Sequence, residues 1–357
     1  MDNVASLTIQ SRNGAYQVHC DHTLPQALTA SSAEGRSWLL VDITLAALHG
    51  PLLAQHFPGQ RLLAIPALEE NKSFERTAPI FTWLLSSGFR RDSILVAFGG
   101  GIVQDIAAFV ATIIMRGTMW RLIPSTLLSQ CDSCIGAKSS INIDRFKNQL
   151  GSFHAPADIY VIPELLKSLP ERAMRSGFGE IVKFHLLHGQ ESWTHIRKHL
   201  AWNDHEQLSA VIQASLRIKQ RYIEVDEFDR GIRNLLNYGH TFGHAFESAS
   251  DFAIPHGLAV SLGMSAATSI SEALGLAPTG HHREVETTLR HLHFDCIADL
   301  RQADLERILA AMGTDKKNTS GATYVILTRG PGQMEKVKVD LQNQIRPLLA
   351  SFIEQLN

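Results

Sequence analysis

Residues 93–117 read SILVAFGGGIVQDIAAFVATIIMRG, an order that predicts a strand, a glycine turn and a helix. The apolar run at 93–98 has the length of a buried strand and ends in Gly99, Gly100 and Gly101. Backbone N–H groups at the start of the following helix would face a bound pyrophosphate, and the glycines would let it come close. The spacing G-x-G-x-x-G is absent, so a tight turn without a ligand is the alternative interpretation.

The segments before this turn also alternate between strand and helix. Residues 37–42 and 61–65 have the pattern of strands, and residues 45–57 and 73–87 have the pattern of helices. Such alternation predicts an α/β domain with a mostly parallel sheet. Asp42 ends the first of these strands, where a carboxylate is suited to hydrogen-bond a ribose hydroxyl.

The character of the sequence changes between residues 160 and 170. Ser168, Pro170 and Glu171 have the pattern of a helix start, with Ser168 as N-cap and Glu171 closing a capping box. From there to about residue 312 helical periodicity prevails, which predicts a second, mainly helical domain. We therefore divide the chain into residues 1–167 and 168–357.

Residues 234–247, NLLNYGHTFGHAFE, place His240 and His244 on one face of a helix, and His256 follows in IPHGLAV. The first two histidines are spaced to share a metal, or one binds metal while the other contacts substrate; an incidental pair is the alternative. Glu180 and Lys183 share a helix face three residues apart. An exposed ion pair is the common outcome of that spacing, but their apolar neighbours favour a site.

Polar side chains are concentrated between residues 122 and 148. They suit a phosphate or a polyhydroxylated ligand, although a solvated loop would have the same composition. These residues are Asp132, Lys138, Asn142, Lys147 and Asn148.

Composition excludes several classes of protein. The 357 residues are 45% hydrophobic and 19% charged, with a net charge of −2, so nothing indicates nucleic-acid binding. We expect no membrane span, because no apolar stretch approaches 20 residues. The N-terminal residues do not resemble a secretion signal, and the four cysteines fit a reducing cytoplasm. Cys131 and Cys134 form a CxxC that we interpret as structural thiols.

A series of motifs carries a family resemblance along most of the chain. The motifs are GGGIVQD, MRG, PSTLLSQCDS, GAK, KNQLGSFHAP, LKSLPER, GEIVK, RNLLNYGHTFGHA, HGLAV and DKKN. In this order the chain resembles 3-dehydroquinate synthase and the other sugar phosphate cyclases. The resemblance implies a Rossmann-like NAD domain and a helical metal-binding domain, usually in a homodimer. It also implies NAD, zinc or cobalt, and cyclisation of 3-deoxy-arabino-heptulosonate 7-phosphate by transient oxidation, phosphate elimination, reduction and aldol closure.

The resemblance also implies a role for individual residues. The metal ligands would be Glu180, His240 and His256. The sugar would be lined by Asp132, Lys138, Lys183 and Asn237, with His244 among the catalytic residues. The phosphate would be bound by Asn148, His244, Arg116 and one of Lys316 and Lys317, and the substrate carboxylate by Lys219 and Arg233. The NAD contacts would be Asp42, Glu69, Lys72, Gly99, Gly100, Gly101, Asp105, Ser125 and Thr126.

The retained residues favour the dehydroquinate type within this family. Lys219 and Arg233 are the pair expected when the substrate carries a carboxylate. The resemblance further implies a proline at the position of His244 in valiolone-type cyclases and a glutamate at the position of Asn237 in deoxy-inosose cyclases, and this chain has neither. Several positions depart from the usual motifs, and we expect Gln104 to crowd the glycine turn. The other departures are His185, Phe228, Leu258 and the run at residues 137–140.

Two alternatives remain for the activity. The departures leave open a specialised cyclase of the amino-dehydroquinate, valiolone or deoxy-inosose type. The second alternative is a polyol or alcohol dehydrogenase of the related metal-dependent superfamily, which would release NADH.

Overall fold

The computed structural model describes residues 6–32, 35–144, 146–198, 205–313 and 323–356. These residues form two compact units. The first unit comprises Met1–Leu169 and Leu208–Leu216, and the second comprises Pro170–Gln207 and Arg217–Asn357. Lys316 and Lys317 lie outside the described residues. The assignment of NAD binding to residues 1–167 and of metal binding to residues 168–357 stays a prediction.

A seven-stranded sheet forms the centre of the first unit. Its strands lie in the order β1-β2-β9-β6-β5-β3-β4, and every neighbouring pair is parallel except β1 and β2. The predicted parallel sheet is confirmed. The strands of this sheet are β1 (Ser6–Ile9), β2 (Tyr16–His19), β3 (Ser37–Asp42), β4 (Leu62–Ile65), β5 (Ile94–Gly99), β6 (Trp120–Pro124) and β9 (Asp158–Tyr160).

Helices accompany these strands, and two further strands form a separate hairpin. β3 and β5 are buried over nearly their whole length, as expected for strands covered on both faces. Leu39, Val96 and Ile123 belong to the core beside the sheet. The helices are α1 (Leu24–Ser31), α2 (Ile43–His56), α3 (Phe74–Ser86) and α4 (Gly101–Ile113), and the hairpin strands are β7 (Lys138–Ile143) and β8 (Phe146–Phe153).

The second unit is mainly helical, as predicted. Its centre is α9, which is buried along most of its length and packs against α5, α8, α10 and α13. The helices are α5 (Glu171–His188), α6 (Gln190–Lys198), α7 (His205–Val225), α8 (His240–Ala249), α9 (His256–Ala273), α10 (His281–His293), α11 (Ile297–Gln302), α12 (Leu305–Gly313) and α13 (Arg346–Gln355). Of these, α7 is shared, because its residues Leu208–Leu216 belong to the first unit. The strands β10 (Thr323–Thr328) and β11 (Met334–Val339) form an antiparallel pair. None of the described helices combines the length and hydropathy that a membrane crossing needs.

The predicted start of α5 is wrong by two residues. The N-cap is Pro170, in an extended conformation (φ −57°, ψ 145°), which has no side-chain group to cap the helix. Ser168 instead ends a 3₁₀ helix, Pro163–Ser168, in which its hydroxyl donates to the Leu165 carbonyl at 3.2 Å. The hydroxyl is therefore engaged with the preceding turn, and the fixed φ of Pro170 sets the helix start instead.

Candidate active site

Three helices of the second unit bring a carboxylate and two imidazoles to one point. Glu180 lies within α5, whereas His240 and His256 are the first residues of α8 and α9. Oε1 of Glu180 lies 3.6 Å from Nε2 of His240 and 3.4 Å from Nε2 of His256. Two ligands bound about 2.1 Å from a tetrahedral metal are separated by about 3.4 Å. The separations therefore match those of ligands that share a divalent ion.

The environment of Glu180 supports this interpretation. Its side chain is fully buried, and neither oxygen accepts a hydrogen bond from another group in the part of the chain that the structure describes. The ammonium group of Lys183 makes a close ion-pair contact with Oε2. A buried carboxylate is costly unless cations or donors surround it. Glu180 therefore has the burial and the orientation of a metal ligand.

Both histidines are oriented through the ring nitrogen that points away from Glu180. Nδ1 of His240 lies 3.3 Å from the Tyr238 carbonyl oxygen, and Nδ1 of His256 lies 3.2 Å from Oε2 of Glu247. Burial alone would lower the pKa of His256, but the carboxylates of Glu247 and Glu180 outweigh it and raise that pKa to about 10. A contact of this kind fixes which nitrogen is left to bind a metal.

Glu247 is absent from the residues predicted above. A signal for it exists in the sequence, because it follows His240 by seven residues, about two helical turns. Helical spacing places it on the face of His240 and His244, but the sequence gives no indication that α9 would bring His256 to that face.

His244 lies one helical turn after His240 and is exposed. Its ring centroid is 5.4 Å from that of His240 and 5.5 Å from that of His256. Ring nitrogens of the three histidines lie within 4.8 Å of one another, so His244 is also placed to bind a metal. The shorter separations around Glu180 favour Glu180, His240 and His256 as the ligands, with His244 available to a substrate.

Glycines next to the three ligands allow their helices to approach closely. A Cβ on Gly179 would lie 2.1 Å from the Gly257 carbonyl oxygen, and one on Gly257 would lie 1.8 Å from that of Ser176. Gly239, the N-cap of α8, has a left-handed φ of 79°, and a Cβ there would lie 2.6 Å from Cγ of Met264. Backbone contact between α5 and α9 thus places Glu180 beside His256.

The predicted carboxylate-binding residues are buried cations of the same unit. Lys219 is 7% exposed and Arg233 is 3% exposed. The guanidinium of Arg233 donates to the Glu227 carbonyl oxygen, and its backbone N–H donates to the carboxylate of Asp226 at 3.1 Å. Because that carboxylate also accepts from the backbone N–H groups of the two residues before Ile232, it shapes the turn that carries Arg233.

Other predicted residues of this unit have separate surroundings. Asn237 donates from its side-chain amide to the Asn234 carbonyl oxygen at 3.0 Å, which fixes the plane of the amide. Phe228 and Leu258 are two of the positions that depart from the family motifs. The ring of Phe228 lies 6.0 Å from the Arg230 guanidinium, and Leu258 is fully buried. His185 is 1% exposed, and its Nδ1 lies 2.7 Å from the Ser192 hydroxyl.

The glycine turn of the first unit has the predicted strand-to-helix geometry. Gly99 ends β5, Gly100 is the N-cap of α4, and Gly101 begins that helix. The Ser125 N–H donates to the Gly99 carbonyl oxygen at 3.0 Å, and a Cβ on Gly100 would lie 2.8 Å from Cγ2 of Thr126. The predicted NAD contacts at residues 99–101 and 125–126 are thus neighbours.

Gln104 makes a two-way contact with Ser133 at this turn. Its amide donates to the Ser133 carbonyl oxygen at 2.7 Å, and its amide oxygen accepts from the Ser133 hydroxyl at 2.8 Å. The Gln104 amide is thus engaged with the residue after Asp132, and the expectation that Gln104 crowds the turn stays a prediction.

Further predicted NAD residues form a polar cluster in the same unit. Nζ of Lys72 lies 2.7 Å from Oδ2 of Asp105, the Ser140 backbone N–H donates to Oδ1 of Asp105 at 3.3 Å, and the Ser140 hydroxyl oxygen lies 3.3 Å from Oδ2. Burial raises the pKa of the Asp105 carboxyl, and Lys72 offsets this only in part. Glu69 accepts a hydrogen bond from the Asn142 amide at 2.9 Å.

The hairpin of β7 and β8 links this cluster to Asn148. The Ser140 hydroxyl donates to Oδ1 of Asn148 at 3.0 Å, and the Asn148 N–H donates to Oδ1 of Asn142 at 2.8 Å. Asn148 has a left-handed φ of 54°, and Ala137 has a φ of 61°. Left-handed conformations are unfavourable for alanine, so Ala137 introduces local strain that glycine would avoid.

Asp42, Arg116, Lys138 and Asp132 are the remaining predicted residues of the first unit. Asp42 caps α2, since its Oδ1 accepts from the Thr44 N–H at 2.9 Å, so the structure provides a local role for the carboxylate that we predicted to bind ribose. Arg116 is exposed, at a φ of 66°, and Lys138 is exposed at the start of β7. Asp132 belongs to a short π-helical turn, Ser129–Ser133.

Comparison with known proteins places this fold and this donor cluster in one class. The family model described as 3-dehydroquinate synthase N-terminal matches residues 62–176, and the one described as 3-dehydroquinate synthase C-terminal matches residues 177–318. A 3-dehydroquinate synthase from Enterococcus faecalis is 35% identical over 320 residues, covering 87% of this chain and 88% of the relative.

Solved structures of sugar phosphate cyclases also superpose well on this chain. A 2-epi-5-epi-valiolone synthase from Streptomyces hygroscopicus, with NAD⁺ and Zn²⁺ bound, superposes with a TM-score of 0.87 at 25% identity, covering 97% of this chain and 99% of that one. A 2-deoxy-scyllo-inosose synthase, complexed with carbaglucose-6-phosphate, NAD⁺ and Co²⁺, has a TM-score of 0.86 at 21% identity, with the same coverage. The protein is thus a sugar phosphate cyclase. Within this class the chain belongs to the 3-dehydroquinate synthase family, as a lyase of that type.

Proposed function

We propose that the protein is a 3-dehydroquinate synthase that converts 3-deoxy-arabino-heptulosonate 7-phosphate to 3-dehydroquinate and phosphate. The observation that carries this proposal is the burial of Lys219 and Arg233 in the unit that contains Glu180 and the histidines. A substrate carboxylate is a suitable partner for buried cations, because charge-assisted hydrogen bonds are strong. Sugar phosphates without a carboxylate give no comparable reason for both.

Glu180, His240 and His256 would hold the divalent metal, zinc or cobalt. Their donor set of one carboxylate and two imidazoles leaves positions open for substrate, as a catalytic metal requires. When bound, the metal supplies a Lewis acid that lowers the pKa of a substrate hydroxyl and polarises the ketone. Lys183 contacts Glu180, so its ammonium is placed to orient a substrate that reaches these ligands.

Charged and polar side chains would bind the three parts of the substrate, which are its carboxylate, its sugar and its phosphate. Arg233 and Lys219 bind its carboxylate, and Asp132, Lys138, Lys183 and Asn237 line the sugar. Asn148, His244, Arg116 and Lys316 or Lys317 bind its phosphate. That phosphate is itself a base that could accept the C6 proton during its elimination, which would spare the protein a dedicated general base.

NAD would bind at the glycine turn of the first unit, where it would supply reversible hydride transfer to and from C5 of the substrate. Backbone N–H groups at the start of α4 would bind the pyrophosphate. The remaining contacts would come from Asp42, Glu69, Lys72, Gly99, Gly100, Gly101, Asp105, Ser125 and Thr126. We further propose that the protein acts in the cytoplasm, in the shikimate pathway that leads to aromatic amino acids, and as a homodimer.

A specialised cyclase is the second candidate. It is favoured by the run at residues 137–140, where Ala137 and Ser140 stand in place of glycines expected from the family motif. Ser140 contacts both Asp105 and Asn148, so this departure changes the surroundings of two proposed ligand-binding residues. Its substrate would be an amino- or deoxy-analogue of the acid phosphate, or another sugar phosphate.

Phosphate release tests the proposal. The purified protein is given NAD⁺, with zinc or cobalt, and offered 3-deoxy-arabino-heptulosonate 7-phosphate, sedoheptulose 7-phosphate or glucose 6-phosphate. We expect release from the first substrate alone, with no accumulation of NADH absorbance, because the hydride returns to the substrate in each turnover. A Glu180→Gln variant should release none. Release from a neutral sugar phosphate only would support the specialised cyclase, and net NADH from a polyol would indicate a dehydrogenase.

A further inference from the structure

The ring of His256 is held between two carboxylates. Its Nε2 lies 3.4 Å from Oε1 of Glu180, and its Nδ1 lies 3.2 Å from Oε2 of Glu247. The second contact is between neighbouring helices, since Glu247 is in the second half of α8 and His256 begins α9. One helix therefore provides His240 and also contacts the histidine of the next helix.

The contact with Glu247 determines which ring nitrogen of His256 is left to bind a metal. A metal that takes the place of the Nε2 proton leaves a neutral imidazole with one N–H, and the nitrogen that keeps this N–H is set by the hydrogen bond that it makes. An ionised carboxylate only accepts hydrogen bonds, so Glu247 requires a donor at Nδ1 of His256. The lone pair of the ring is then left on Nε2, the nitrogen that faces Glu180.

The partial burial of Glu247 strengthens the influence of its carboxylate on the His256 ring. Its side chain is 15% exposed, so water screens its charge only in part. By contrast, Nδ1 of His240 contacts a backbone carbonyl oxygen, that of Tyr238. At Nδ1 the two histidines are therefore contacted by different groups: His240 by a backbone carbonyl oxygen and His256 by a side chain that can be substituted.

We propose that Glu247 is a positioning residue, which orients His256 and presents its Nε2 to the metal. This inference rests on the proposed metal centre and extends it by a residue that binds neither metal nor substrate. Glu247 strengthens metal binding because its carboxylate holds the ring in place and makes it a better electron donor.

Metal affinity measured without substrate tests this inference. The zinc Kd of the whole protein is determined by competition with a chromophoric chelator, and the visible absorption of the cobalt form reports ligand geometry. Loss of such an outer contact typically weakens metal binding by roughly 10- to 100-fold. We expect this loss in Glu247→Ala, together with an altered cobalt spectrum. Glu247→Gln should recover much of the affinity, since its amide oxygen also accepts from Nδ1.

A matched control separates orientation from general stability. Glu272 lies on α9, as His256 does, and accepts from the backbone N–H groups of Gly280 and His282. Glu272→Ala removes a partly buried carboxylate far along the helix, so it should lower the free energy of unfolding and leave the zinc Kd unchanged. Should Glu247→Ala fail to fold, Glu247→Asp gives the same comparison through its zinc Kd and cobalt spectrum, because its shorter side chain draws the carboxylate away from Nδ1 of His256.

The outcomes are distinguishable. Weaker zinc binding by Glu247→Ala than by Glu272→Ala supports the positioning role. Wild-type affinity and an unchanged cobalt spectrum in folded Glu247→Ala would overturn that role and leave the proposed cyclase intact. A wild-type protein that binds neither zinc nor cobalt would overturn both the metal centre and the role of Glu247.

Discussion

Arg233 provides a direct test of the substrate, because its buried guanidinium is proposed to bind the carboxylate. We expect Arg233→Ala to lower kcat/KM for the acid phosphate by roughly 10- to 150-fold, as hydrogen bonds to charged groups contribute about 1.5–3 kcal/mol. Steady-state phosphate release measures this loss. The matched control is Arg230→Ala, since Arg230 is exposed on the same turn and should be neutral. Unchanged kcat/KM in Arg233→Ala would rule out the carboxylate contact.

His185 makes stability depend on pH. Burial lowers its pKa from 6.5 to about 4. Between these two pH values His185 is mostly protonated in the unfolded chain and mostly neutral in the folded chain. Stability is therefore lost as the pH falls from 6.5 towards 4, by about 2 kcal/mol between pH 7 and pH 5. Urea unfolding at both pH values measures the loss. A folded His185→Leu variant should lose about 2 kcal/mol less than the wild type, whereas equal losses would show that His185 contributes nothing.

The sequence predicts the place of some residues in the candidate site and not of others. The Glu180 and Lys183 pair was identifiable because an apolar helix has few positions for a carboxylate and an amine. Glu247 and Asp226 were not, because their partners lie beyond a turn or on another helix. The pairing of Gln104 with Ser133 was missed for the same reason. Side-chain contacts between elements depend on packing, which a linear pattern does not contain.

The crossing of α5 and α9 is expected to tolerate no side chain at Gly257. A Cβ there would lie 1.8 Å from the Ser176 carbonyl oxygen, so Gly257→Ala must separate the helices. We expect a loss of about 1–3 kcal/mol in the free energy of unfolding, with weaker zinc binding because His256 moves from Glu180. Denaturant unfolding and chelator competition measure the two effects.

A second glycine within a helix provides the control. Gly313 is the last residue of α12, and a Cβ added to it would lie 3.7 Å from Cδ1 of Leu341, which is an ordinary van der Waals contact. Gly313→Ala should be neutral or stabilise by up to about 1 kcal/mol, since alanine loses less backbone entropy in a helix. Equal destabilisation by both substitutions would contradict the role of the close crossing.

Strands and helices were more predictable than their ends. β3 has the predicted bounds, and α3 and β5 begin within one residue of them, because a buried run or an amphipathic face extends over many residues. The start of α5 was misplaced, since Ser168 and Pro170 fit two turns equally well in sequence. Only the competing 3₁₀ helix distinguishes them, and that helix depends on local packing.

For the molecule as a whole, metal binding should stabilise one unit selectively. The proposed ligands lie in the second unit, and a ligand at about 100 times its Kd stabilises the folded state by about 2.7 kcal/mol. Hydrogen exchange with and without zinc should therefore show slower exchange in α5, α8 and α9, and unchanged exchange in β3 and β5. A His240→Asn variant should show no zinc effect. Equal protection of the sheet would contradict a metal site confined to the helical unit.

The starts of α8 and α9 at His240 and His256 have a consequence for charge. Each helix start carries about half a positive charge from its aligned peptide dipoles. The charge of a divalent ion held there would be balanced by the two carboxylates of Glu180 and Glu247. The positive charges of the two helix starts and of the Lys183 ammonium would remain unbalanced. The loaded centre would then have a surplus of about two positive charges. Such a centre would favour polyanions, so an acid that is also phosphorylated would be attracted before any specific contact forms.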